Sequence, residues 1–144
     1  MHVPANQVLP IRYMNNADAT TIYRGQPVYV FSSNRNVKIA RVTSFAEAQY
    51  WGTAIADVAQ PDHGFFAYAG PVIIPSSYQY GSSWAAGDYI YLNYSSAGSY
   101  RNAPHQIGGY FIVPIGRVAE MIGSDAIVTI EKGEIVEVPG APPP

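Results

Sequence analysis

Four segments of this 144-residue chain recur in the same order at nearly one offset. Gly25-Gln26-Pro27-Val28-Tyr29-Val30 matches Gly87-Asp88-Tyr89-Ile90-Tyr91-Leu92, 62 residues later. Trp51-Gly52-Thr53-Ala54-Ile55-Ala56-Asp57 matches Ile115 to Glu120, with the glycines 64 apart. Gly64 to Gly70 lies over Ile127 to Gly133 at an offset of 63, and a proline-closed run follows each, Pro71 to Pro75 and Glu134 to Pro139. Self-similarity of this kind constrains the fold more than any single residue. One unit of about 60 residues with strands this short leaves an apolar face open to water, whereas two units can close on each other. The expectation is an all-β barrel or sandwich with one pseudo-two-fold core. Its half-units are expected at about 25–75 and 87–139, within a single β domain spanning 23–139. The joining stretch, Ser76 to Ala86, is aromatic and carries no charge, which argues against two independent beads.

The runs themselves read as strands. Val28 to Phe31, Val37 to Val42, Phe65 to Ala69, Val72 to Ile74, Tyr89 to Leu92, Tyr110 to Val113, Ala126 to Ile130 and Ile135 to Val138 are apolar, aromatic or alternating. Gly, Pro, Asn, Asp or Ser bounds each one, the punctuation of strands joined by turns. Helical composition occurs only over Thr43 to Gln49, with Ser44 as cap and room for two turns at most. Residues 1–22 contain Pro4, Pro10 and an Asn15-Asn16-Ala17-Asp18 turn, and read as an extended N-terminal arm or an edge strand. Residues 140–144, Gly-Ala-Pro-Pro-Pro, read as a polyproline-like tail. The loop Ser76 to Trp84 is rich in Tyr, Ser and Gly, a composition suited to making contacts, although its rings could equally plug a barrel seam.

Composition narrows the function. The chain is 48% hydrophobic but only 12% charged, so a face of Tyr, Asn, Ser and Thr meets the outside, suited to contact with protein or sugar. That apolar share with a net charge of −2 excludes disorder. Zero Cys excludes a disulfide framework, a thiol nucleophile and a Cys-type zinc site. Eight cations against ten acids leave no basic surface for nucleic acid. The longest apolar run, Phe65 to Ile74, is broken by Gly70 and Pro71 and falls short of a membrane span. The first seven residues read as lacking an export signal.

Chemistry is sparse. His2, His63 and His105 have no metal-binding spacing. Pro61-Asp62-His63-Gly64 reads as a type I turn rather than half of a triad, and no Gly-x-Ser-x-Gly elbow is present. Asp57 and Glu120 occupy similar repeat positions, which raises paired carboxylates for glycoside hydrolysis, but solvated strand-end acids fit them as well. Gly108-Gly109 and Gly123-Ser124 sit in no phosphate-binding fingerprint, and the acids form no calcium loop. The reading is a non-enzyme with no catalytic, metal or cofactor site.

The motif order carries a resemblance. A Gly-x-Pro-Val-Tyr-Val strand, a Gly-x-Ala strand and a Gly-bounded hairpin precede Trp84. After it come Gly87-Asp88-Tyr89-Ile90-Tyr91-Leu92, Ala97-Gly98-Ser99, Ala103-Pro104 and Val113-Pro114-Ile115-Gly116-Arg117-Val118-Ala119. Over roughly Tyr23 to Ile130 this resembles the small β domains of tailed-bacteriophage virions, found in capsid decoration (cement) proteins and in fibre or spike components. The resemblance implies a non-enzymatic virion protein, assembled in the host cytoplasm, usually a homotrimer, that binds the major capsid protein or another virion component. No membrane or nucleic-acid partner is expected. Val8, Leu9, Ile11 and Tyr13 of the arm, and Tyr78, Tyr80 and Trp84 of the loop, are then the candidate protein contacts. The alternatives are a tail, fibre or spike adaptor, and a carbohydrate-binding module stacking sugars on Tyr78, Tyr80, Trp84, Tyr94 and Tyr100.

Overall fold

The repeat is a pair of β units with the same strand connectivity, in a computed structural model describing residues 10–33 and 35–143. The N-terminal unit holds β1 (Ile11–Asn16), β2 (Pro27–Ser32), β3 (Asn36–Ile39), β4 (Tyr50–Ala54) and β5 (His63–Ala67). These close as a barrel in the order β1-β3-β2-β4-β5. The C-terminal unit holds β6 (Gly70–Ile74), β7 (Gln79–Tyr80), β8 (Tyr89–Leu92), β9 (Tyr100–Arg101), β10 (Phe111–Ile112), β11 (Pro114–Ile122), β12 (Asp125–Ile130) and β13 (Val136–Glu137). Six of them curl into a sheet ordered β6-β12-β11-β8-β9-β7, and β10 pairs with β13 alone. The chain is all-β, as its pattern predicts.

Pairing registers establish the equivalence. β2 joins β3 and β4, as β8 joins β9 and β11. Val28 faces Gly52 across β2–β4, and Ile90 faces Gly116 across β8–β11. Both glycines are required: a Cβ at Gly52 would collide with the carbonyl oxygen of Ala67, and one at Gly116 with that of Thr129. The turn entering each unit is also duplicated. Gly25 and Gly87 both take φ +94°, and their amides donate to the carbonyls of Ala54 and Val118, each at 2.8 Å. The side-chain oxygens of Gln26 and Asp88 accept from the amides of Tyr23 and Ala85.

Structure moves two boundaries. The stretch 1–22 is not an arm throughout: β1 pairs antiparallel with β5 and parallel with β3, and so closes the barrel. Residues 1–9, with Val8 and Leu9, lie outside the described residues. The half-units also divide near Ala69, not at 75 and 87. β6 pairs with β12 and β7 runs parallel to β9, so together they stand where β1 stands, split by Pro75 and a 3-10 turn over Ser76–Tyr78. The run 134–139 is therefore no counterpart of 71–75; its strand β13 pairs with β10. Aligning Gly70 with Gly133 also slips the register by one. Tyr13 faces Phe65 as Ile73 faces Ile127, an offset of 62 on β5–β12, and one residue of slip would exchange the two faces of the strand.

Helical composition at Thr43–Gln49 yields a single turn. Ser44 caps it, its hydroxyl oxygen accepting from the Glu47 amide at 3.3 Å, while the Ala48 amide donates to the Ser44 carbonyl. The chain must then be extended at Tyr50 to pair with Tyr29. Gly108 and Gly109 lie against the tail, where the Gly109 amide donates to the Val138 carbonyl at 2.8 Å.

Two hydrophobic clusters replace the expected single core. Met14, Val28, Val37 and Phe66 fill the barrel. Val72, Ile90, Leu92, Ile115 and Val128 fill the second unit, joined there by Tyr29, Tyr50 and Ala67 from the barrel exterior. A five-stranded barrel is narrow enough to be filled by its own side chains, so its wall separates the clusters. β2 serves both, sending Val28 inward and Tyr29 outward. Equivalent inward positions trade volume between units: Phe66 becomes Val128, and Val37 becomes Tyr100.

Candidate functional site

On β1, alternation sends Met14 and Asn16 inward and Ile11 and Tyr13 outward. Tyr13 lies opposite Phe65 with ring centroids 5.0 Å apart, and stacks on His63 at 5.3 Å. Tyr13 is 56% exposed and Phe65 48%. The Ile55 amide donates to the Phe65 carbonyl at 3.4 Å and extends this outer face past the end of β4. Thr53 and Ala67 lie further along the same face, yet both are buried, covered by the C-terminal unit. Beside the exposed part runs a groove of about 340 Å³ between the units, lined by Arg24, Ile55, Pro71, Val72, Ile73 and Ile127. Ile73, the register equivalent of Tyr13, is 41% exposed.

The arm and the loop contribute differently to this face. Ile11 and Tyr13 belong to it. Tyr78 is half-buried, and its hydroxyl pKa is raised by burial and by Asp57 and Tyr23 nearby. Tyr80 is partly exposed, and its carbonyl accepts from the Trp84 indole at 2.9 Å. Trp84 is only 7% exposed and packs in the second core, so it plugs the sheet and offers no surface contact. Tyr100 is fully buried as well, and Tyr94 lies between His105 and Arg101. The five rings proposed for sugar stacking thus form no common exposed face. The apolar positions missed in the sequence are Ile55, Phe65 and Ile73. A continuous apolar run such as Phe65 to Ile74 does not reveal which residues face out.

The polar groups are held in structural roles. His105 is buried; its Nδ1 accepts from the Ile107 amide at 3.1 Å, leaving Nε2 to donate to the Phe111 carbonyl at 2.7 Å. The turn before β5 is Ala59–Asp62, with a cis Gln60–Pro61 bond and the Asp62 amide donating to Ala59; His63 already belongs to the strand, so the expected type I turn at 61–64 is absent. Asp57 accepts from the Arg24 amide at 2.8 Å, and Glu120 is exposed opposite Ile127. A second groove of about 390 Å³ contains Asp18, Lys38, Arg41 and Glu47. There Asp18 binds the amides of Thr20 and Ile39, Arg41 pairs with Glu47 at 3.4 Å, and Lys38 sits 3.7 Å over Phe31. Among the described residues no group of three His, Asp or Glu side chains could hold a metal ion. The chain matches no protein-family model and no curated protein.

Proposed function

We propose that this chain is a non-enzymatic structural protein of a tailed-bacteriophage virion, binding and stabilising the capsid as a decoration protein. The observation that carries this reading is the apolar outer face of Ile11, Tyr13 and Phe65 on strands β1 and β5, extended by Ile55 beyond β4 and left exposed by the other described residues. Exposed apolar patches of this kind mark surfaces that bind protein. The duplicated β body and the resemblance over Tyr23 to Ile130 support the same reading. So does the engagement of His105 and of the charged groove in structural bonds. A tail or fibre adaptor would use the same face on a different virion component.

Co-sedimentation tests it. The purified protein is mixed with shells assembled from the major capsid protein encoded in the same genome. It should pellet with the shells in fixed stoichiometry and raise their disruption temperature. Protein that stays in the supernatant, with no change in shell stability, refutes the decoration role.

A further inference from the structure

The charged groove beside the Ser44 turn contains one buried side chain whose polar atom has no partner among the described residues. Tyr29 is only 8% exposed and belongs to the second hydrophobic cluster. Its hydroxyl makes no hydrogen bond there, yet every fully buried side-chain nitrogen or oxygen has one, so the Tyr29 oxygen opens onto the groove that it lines. Burial raises the phenol pKa, as do Glu47 and Asp18, while Arg41 draws it down, which sets the oxygen among the charges of the groove. A polar group this enclosed and without a bond in its own chain calls for a ligand or water.

The charges around it are held in place and still have bonding capacity. Asp18 accepts from the Thr20 amide and hydroxyl and from the Ile39 amide. Glu47 accepts from the Ser44 hydroxyl and meets Arg41. A carboxylate offers about four acceptor sites, and neither acid fills all of its own. Arg41 meets Glu47 through Nε, and its terminal nitrogens make no hydrogen bond among the described residues. Lys38 lies over the Phe31 ring and makes no ion pair there. Ala19, Ile39 and Ala46 supply an apolar wall. The volume, about 390 Å³, is that of a small-molecule site.

We infer that this groove binds a sugar ring, with the Tyr29 hydroxyl, Asp18 and Arg41 bonded to its hydroxyl groups. Two cations, Lys38 and Arg41, and two acids, Asp18 and Glu47, cancel, so the groove draws in no net charge. A carboxylate or phosphate entering it meets the two acids, and an ammonium meets the two cations. A sugar hydroxyl donates to one sign and accepts from the other, and both bonds are charge-assisted. The C–H face of the ring fits the wall of Ala19, Ile39 and Ala46. None of Tyr78, Tyr80, Trp84, Tyr94 and Tyr100 lines this groove, so the site is separate from the rings considered above for sugar stacking. It goes beyond the virion role and does not depend on it.

Amide chemical shifts of the full chain, titrated with glucose, galactose, mannose and N-acetylglucosamine to about 100 mM, supply the test. The reporters are the amides of Thr20 and Ile39, bonded to Asp18, and of Glu47, bonded to Ser44. At least one sugar should shift all three and approach saturation. Tyr29→Phe removes only the unpartnered oxygen, so it should keep the wild-type melting temperature and bind that sugar about fivefold more weakly. A trisaccharide of the same sugar that binds more tightly assigns a glycan as the natural source, and equal affinity assigns the free sugar. No shift from any of the four sugars, shifts confined to other residues, or unchanged affinity in Tyr29→Phe would each overturn the inference. So would the three amides responding to glycine, glutamate or phosphate instead. A lowered melting temperature in Tyr29→Phe would overturn it too, by showing that the hydroxyl is bonded within the chain.

Discussion

Tyr50 and Tyr100 come from different units and share the hydroxyl of Thr53, at 2.7 and 2.8 Å. All three side chains are buried, so each hydroxyl needs a protein partner. Thr53→Val keeps the shape and strands both phenols, and should destabilise the protein by about 2–4 kcal/mol in urea denaturation. Tyr100→Phe leaves the Tyr50–Thr53 bond intact and should cost about 1 kcal/mol. The same pair makes stability sensitive to alkali. Burial raises both phenol pKa values above the ordinary 10.0. Below that value neither state loses a proton and stability is flat. Above it the unfolded chain ionises while the folded chain does not, so stability falls as pH rises through and beyond the ordinary tyrosine value. Melting temperatures measured from about pH 8 to about pH 11 should drop with a slope that is shallower in Tyr100→Phe. An unchanged slope in that variant would remove Tyr100 from the account. The sequence showed both tyrosines but not their meeting, because Thr53 lies 47 residues from Tyr100.

β1 is where local reading and pairing diverge most. Pro10 and the Asn15-Asn16 pair look like an arm ending in a turn, yet Asn16 is buried. Its side-chain amide donates to the carbonyls of Thr20 and Val58. A strand whose partners are β5 and β3 has no local signal for closure, since those partners begin more than 20 residues away. Deleting residues 2–13 removes the pairings of Ile11, Arg12 and Tyr13 with β5 and opens the barrel over Phe66. The truncated chain should lose cooperative melting by circular dichroism. A truncated protein that melts like the full chain would return these residues to the role of a free arm. At Ser44 the capping signal was legible and its consequence was not, because the pairing of Tyr50 with Tyr29 leaves room for a single turn and no helix forms.

At the scale of the molecule, the units are alike in topology but not independent. Tyr29, Val42, Tyr50 and Ala67 lie outside the barrel and inside the second cluster. Further bonds tie the units together, the Gln26 side-chain amide donating to Gly98 and the Phe111 amide to Val42. Calorimetry of the full chain should therefore show one transition, with calorimetric and van't Hoff enthalpies equal. The fragment 1–68, which uncovers those four side chains, should aggregate or fail to melt cooperatively. Two resolved transitions, or a soluble and cooperative fragment, would show that the barrel stands alone.

The amino-acid order by itself determined the all-β class, the duplication, most strand positions and the paired glycines, because side-chain alternation and turn chemistry act over a few residues. Only the tertiary structure decided that β1 closes the barrel while β6 and β7 form the two edges of the second sheet, that Trp84 and Tyr100 are core, and that Tyr13, Phe65 and Ile73 are exposed. Each of these depends on which strand lies beside which, and on which side of a continuous apolar run the other unit packs. Pairing partners tens of residues apart settle both, and no local pattern records them.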